Sequence, residues 1–123
     1  MTELNGQRIL ILEEQASIAQ RLVEMIEGLN CKAVGPVDRL PQALALLVEC
    51  EVDAAILDVK IEGEPSYPVA EDLIRRGIPW AFASSNPTDE LVRRYPSVPV
   101  ITKPYSSEHL SKVLEQLLAG PPT

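Results

Sequence analysis

Five residues with the chemistry to handle phosphate each stand where an apolar run stops. Ile9-Leu10-Ile11-Leu12 gives way to Glu13-Glu14, and Ala54-Ala55-Ile56-Leu57 to Asp58. Trp80-Ala81-Phe82-Ala83 gives way to Ser84, and Val98-Pro99-Val100-Ile101-Thr102 to Lys103-Pro104. Carboxylates gathered at one place raise each other's pKa unless a cation neutralises them. Oxygen donors select a hard cation, and magnesium accepts one or two carboxylates while keeping water and phosphate oxygens in its shell. A carboxylate can also attack phosphorus and carry an acyl phosphate. A hydroxyl and an ammonium then suffice to hold the equatorial oxygens, because phosphoryl transfer is mostly positioning and charge stabilisation. The set needs only a fold that brings the four run ends to one edge.

The pattern between the runs supplies such a fold. The first run, 8–12, is apolar without alternation, as in a strand covered on both faces. Ile18, Leu22, Met25, Ile26 and Leu29 then recur at helical spacing, and Asn30 closes that helix. A short strand over 31–34 ends at Gly35-Pro36. Pro41 fits the first turn of a second helix faced by Leu44, Leu47 and Val48. The third strand covers 52–57, and 59–68 reads as a loop containing Gly63, Pro65 and Pro68. Ala70, Leu73 and Ile74 mark a third helix stopped by Gly77. Pro79 opens the fourth strand; Pro87 follows, with a short helix from Asp89 to Tyr95. The fifth strand covers 98–102. Ser107 reads as the N-cap of a last helix with Leu110, Val113, Leu114 and Leu117 inward, ended by Gly120-Pro121-Pro122. Strand and helix alternate five times, which predicts a doubly wound α/β domain with a parallel sheet and helices on both faces. In such sheets ligands bind beyond the carboxyl ends of the strands.

Length and composition are consistent with this. The 123 residues suit one domain, here 1–123 with its core at about 8–119, and 46% apolar residues are ordinary for a globular chain. A net charge of -7 argues against non-specific nucleic-acid binding. Two cysteines, Cys31 and Cys50, and one histidine, His109, lack the spacing of a zinc site. Nothing resembles a signal-peptide core or a membrane span. The expectation is a cytoplasmic protein with neither a nucleic acid nor a membrane as partner.

With all four motifs in order, the chain resembles the response-regulator receiver domains of bacterial two-component signalling over residues 8–119. The resemblance implies a flavodoxin-like five-stranded sheet in the order 2-1-3-4-5. It implies a signalling module, not an enzyme, in which Asp58 accepts phosphate from a histidine kinase or a histidine phosphotransfer protein. Mg2+ is then required, held by Glu13, Glu14, Asp58 and the backbone carbonyl of Lys60, with Ser84 and Lys103 completing the site. The Lys103-Pro104 bond is expected to be cis, as it usually is in the family. The Phe82-Ala83-Ser84-Ser85-Asn86 stretch and the cramped fourth helix resemble a subgroup whose fourth strand reads Phe-Ala-Thr-Gly. Its members are often stand-alone receivers, or receivers attached to stress-response regulators of alphaproteobacteria.

The chain also departs from the pattern. Receivers usually carry at least one aspartate in the acidic pair, commonly the second; here both are glutamate, and Glu14 is one methylene longer than the expected ligand. Lys60, two residues beyond Asp58, can compete with a cation or shield a phosphoryl group from water. With Asn86 it is expected to set the lifetime of the acyl phosphate. Val100 stands where a switching aromatic often stands, so an aromatic swing there is ruled out as the readout, and a hydroxyl shift at Ser84 with reordering of residues 85–97 remains available. Tyr105 occupies another aromatic position of the family. The double glutamate and Lys60 keep a second function open, a pseudo-receiver that binds partners independently of phosphate. A flavodoxin-like enzyme is disfavoured because residues 13–17, Glu-Glu-Gln-Ala-Ser, offer no glycine-rich phosphate cradle.

Overall fold

The structure, a computed structural model, describes residues 4–86 and 90–119. Strand β1 (Arg8–Leu12) leads into helix α1 (Ala16–Gly28), strand β2 (Lys32–Val37) into helix α2 (Leu40–Glu49), and strand β3 (Ala54–Asp58) into a two-stranded hairpin, β4 (Lys60–Ile61) and β5 (Glu64–Pro65). Helix α3 (Tyr67–Arg76), strand β6 (Trp80–Ser84), the short helix α4 (Glu90–Arg93), strand β7 (Val100–Thr102) and helix α5 (Ser107–Leu118) complete the chain. The main sheet is parallel, in the order β2-β1-β3-β6-β7. With the hairpin set aside, this is the expected 2-1-3-4-5 order.

The unbroken apolar runs are explained by two cores. Ile9 and Ile11 face one side with Leu22, Ile26, Leu110 and Leu114 of α1 and α5. Leu10 and Leu12 face the other with Leu47, Val69, Leu73 and Phe82. Central strands buried on both faces cannot alternate polar with apolar, and β3 and β6 are buried at every position. Their first polar side chains therefore fall at the strand ends.

Several local readings are corrected. Strand β2 does not stop at Gly35-Pro36 but passes through it, with the register slipping between Leu10↔Val34 and Leu12↔Val37. A bulge on an edge strand tolerates a proline, and Gly35 takes φ +94 where a Cβ would meet the Val37 amide at 2.9 Å and the Ile11 carbonyl at 3.2 Å. Both Gly35-Pro36 and Lys103-Pro104 are cis. Residues 59–68 are not an open loop. Glu62 (φ 51) and Gly63 (φ 78) both lie in the left-handed region and close a two-residue turn, so the segment folds back as β4–β5. The α5 N-cap is Ser106, whose Oγ accepts the His109 amide, and not Ser107. Val48 and Ile74 are exposed at 74% and 51%, so Ala43 and Val69 take their places in the core.

Other readings agree. Asn30 (φ 71) ends α1, with its amide on the Glu27 carbonyl and that of Cys31 on the Ile26 carbonyl, a Schellman closure. Gly77 (φ 69) closes α3. Cys31, Trp80 and Phe82 are buried, while Met25 and Cys50 are half-buried and His109 is exposed. Pro87 and Asp89, and the stop at Gly120-Pro121-Pro122, lie outside the described residues.

Candidate functional site

Pairing β1 with β3 and β3 with β6 in parallel register brings the ends of these strands to one edge. The order reverses direction between β1 and β3, which opens a crevice there. Glu13, Glu14, Asp58, Lys60, Ser84, Asn86 and Lys103 all line one pocket of about 190 Å3 at this edge. The five sequence candidates therefore share a location.

Lys103 bridges two carboxylates. Its Nζ donates to Asp58 Oδ1 at 2.5 Å and lies 2.9 Å from Glu13 Oε1. Asp58 and Glu13 are 4% and 2% exposed, and Lys103 is half-buried between them. The Glu14 amide donates to Asp58 Oδ2 at 3.0 Å, and the Gln15 amide to Glu13 Oε2 at 3.0 Å. Two buried carboxylates thus share one ammonium. Burial pushes the Asp58 carboxyl up to about 7, and a hydrogen bond shared with Glu13 adds to the rise. Burial also pulls the Glu13 carboxyl upward, but bonds from Asp58, the Gln15 amide and Lys103 outweigh it and leave the group below its usual range. Burial pulls Lys103 downward, and its two carboxylate partners reverse that and raise it.

Tyr105 was missing from the candidate set. It is buried, and its hydroxyl donates to Glu13 Oε1 at 3.2 Å. Burial first, then the neighbouring Glu13 charge, raises its phenol and keeps it a donor. The only sequence signal was its position just after Lys103-Pro104. Ser84 is nearly buried, and its hydroxyl donates to the Asn86 carbonyl and accepts the Asn86 amide, both at 2.9 Å. To donate to a phosphoryl oxygen it must give up the first of these bonds.

The expected metal ligands are not gathered as a cage. Among the described residues no three acidic, histidine or cysteine side chains are grouped to hold an ion. The reason lies in their partners: Glu13 faces Lys103 and Tyr105, and Glu14 Oε1 accepts the Glu62 amide at 2.9 Å. The donor chemistry still suits magnesium, for which one or two carboxylates are enough. Lys60 itself is exposed. Its strand neighbour Val59 accepts the Ser66 amide, so the alternation of an antiparallel ladder turns the Lys60 carbonyl away from Pro65.

No family model matches the chain, and no curated protein does. Solved structures do. SdrG from Sphingomonas melonis Fr1 is 39% identical with a TM-score of 0.80, the alignment covering 96% of this chain and 99% of that one. The BeF3-activated conformation of SdrG, from Pseudomonas melonis Fr1, aligns with the same identity and coverage at a TM-score of 0.79. The chain belongs to the response-regulator receiver domains. The receiver (REC) domain of the PhyR response regulator from Erythrobacter litoralis shares the fold, with a TM-score of 0.85 at 20% identity over 99% of this chain and 98% of that one. Receivers are parts of signalling proteins and are not themselves enzymes. No helix among the described residues of this receiver is long and apolar enough to cross a membrane.

Proposed function

We propose that this receiver is a phosphoacceptor of a two-component phosphorelay, with Asp58 taking the phosphoryl group from a phosphohistidine on a histidine kinase or phosphotransfer protein. The observation that carries the reading is the Glu13–Lys103–Asp58 bridge, with both carboxylates buried, at the β1/β3 crevice. An ionised Asp58 oxygen attacks phosphorus, the P–N bond to the donor imidazole breaks, and the bonding pair stays on that nitrogen. Lys103, released from Asp58 Oδ1 as its charge is consumed, turns to the phosphoryl oxygens. Ser84 donates to another once it leaves the Asn86 carbonyl. Magnesium, when bound, would neutralise charge on the same oxygens, with Asp58, Glu13, the Lys60 carbonyl and Glu14 as the available donors.

The identity with SdrG and the Phe82-Ala83-Ser84 strand end support placing the chain with the Phe-Ala-Thr-Gly subgroup. Phosphate is then read through Ser84 and the segment that follows it, not through Val100, which carries no ring. The Glu14–Glu62 contact favours the second reading, a phosphate-independent pseudo-receiver, because it occupies a ligand oxygen.

Intact mass after incubation with acetyl phosphate and magnesium separates the two. The acceptor reading predicts a gain of one phosphoryl group in the wild type and none in Asp58→Asn. No gain with either acetyl phosphate or a cognate kinase overturns it.

A further inference from the structure

The position that departs from the family pattern also reaches the β4–β5 hairpin. Glu14 joins the acceptor to the hairpin through both its main chain and its side chain. Its amide donates to Asp58 Oδ2 at 3.0 Å, and its Oε1 accepts the Glu62 amide at 2.9 Å. Glu62 begins the turn of β4–β5, and that hairpin starts two residues after Asp58 and carries Lys60 to the rim of the pocket. Among the described residues, side-chain contacts to the turn include this one and an exposed Arg39–Glu62 pair at 3.6 Å. Ile61 of β4 is buried in the second core and anchors the base of the hairpin; a two-stranded hairpin is otherwise marginal in water, so the placement of its turn depends on such contacts. An aspartate at position 14 would be one methylene shorter and would not reach.

We propose that Glu14 is a positioning residue: its carboxylate pins the β4–β5 turn over the acceptor pocket and so fixes Lys60 at the rim. The extra methylene is the length that spans from the end of β1 to the Glu62 amide. Pinning is a property of the unphosphorylated protein. Its consequence, that Glu14 influences the lifetime of the acyl phosphate through Lys60, rests on the phosphoacceptor reading.

The test is amide hydrogen exchange at Glu62, followed by NMR on the full chain in EDTA with no phosphodonor. A hydrogen bond to a charged group that closes one turn slows exchange by about tenfold to a hundredfold. The proposal expects that factor to be lost in Glu14→Ala and in Glu14→Asp, and kept to within about threefold in Glu14→Gln, whose side-chain carbonyl still reaches the amide. Core β3 amides report whether each variant is folded, and Glu14→Asp serves if Glu14→Ala is not. Equal Glu62 exchange in wild type, Glu14→Ala and Glu14→Asp overturns the proposal. So does loss in Glu14→Gln equal to that in Glu14→Ala, which would assign the effect to charge alone. A second arm compares dephosphorylation at saturating magnesium. If Glu14 acts through Lys60, Glu14→Ala changes the rate in the wild type but not in a Lys60→Ala background; equal changes in both refute the link to Lys60. Failure to phosphorylate at all refutes the phosphoacceptor reading and leaves the exchange result to decide the pinning.

Discussion

Replacing Asp58 by Asn should make this receiver more stable, not less, in magnesium-free buffer at pH 8. Asp58 is buried, and its carboxyl is pushed up to about 7 from an ordinary 3.8, first by burial and then by the hydrogen bond shared with Glu13. Between those two values the folded chain keeps a proton that the unfolded chain has released. Stability from this group is therefore intact below about pH 4, falls as pH rises, and is fully lost above about pH 7. The whole interval corresponds to roughly 4 kcal/mol. Asparagine removes the buried charge but also removes one partner of Lys103, which keeps Glu13 at 2.9 Å. The net gain expected at pH 8 is about 1–3 kcal/mol, since breaking one arm of a buried ion cluster has a cost of its own. Urea unfolding in EDTA, followed by the fluorescence of Trp80, the one tryptophan in the chain, reads this directly. The midpoint of Asp58→Asn should exceed that of the wild type at pH 8 with an unchanged slope, and the gap should fall by about 2–3 kcal/mol by pH 5, to zero or below. A variant less stable than wild type at pH 8, or a gap equal at both pH values, refutes the assignment of a strained negative charge to position 58.

Three other outcomes follow from the same structure. Cys31 is buried and its thiol is raised, first by burial and then by Asp53, whereas Cys50 is only half-buried; Ellman's reagent should titrate one thiol in the native protein and a second only in denaturant. Glu62→Asn should stabilise the fold by about 0.5–1 kcal/mol, because Asn-Gly suits the two left-handed turn positions better and the Arg39 pair it loses is exposed; an unchanged or lower urea midpoint contradicts the turn geometry. Tyr95→Ala removes ring contacts to Trp80 at 5.2 Å and Tyr67 at 5.8 Å and a hydroxyl bond to Glu71 at 3.0 Å; it should lower stability by about 2 kcal/mol and shift Trp80 emission to the red.

The sheet and the shared location of Glu13, Glu14, Asp58, Ser84 and Lys103 were legible because burial on both faces forbids polar residues until a strand ends. Other features depend on contacts that no local pattern encodes. The β4–β5 hairpin was obscured by Pro65 and Pro68, which read as a loop, although Glu62-Gly63 between Ile61 and Glu64 carried a weak turn signal. Ser106 and Ser107 are adjacent and chemically equivalent, so only the His109 amide distinguishes the cap. Helical spacing placed Val48 and Ile74 in the core, but it defines a face only to within a residue, and Ala43 and Val69 proved to be nearer its centre. Tyr105 and the Glu14–Glu62 contact join positions far apart in the chain, 92 residues in the case of Tyr105 and Glu13, and periodicity does not reach that far.

The central claim is that Asp58, and no other group, accepts the phosphoryl group. Borohydride cleaves an acyl phosphate and reduces the aspartate that carried it to homoserine. Wild-type protein treated with acetyl phosphate and magnesium, reduced and then mapped by peptide mass spectrometry, should show homoserine at position 58 alone. Homoserine at another aspartate, 5-hydroxynorvaline at a glutamate such as Glu13 or Glu14, or no reduced residue in protein that has gained a phosphoryl group, would contradict the account.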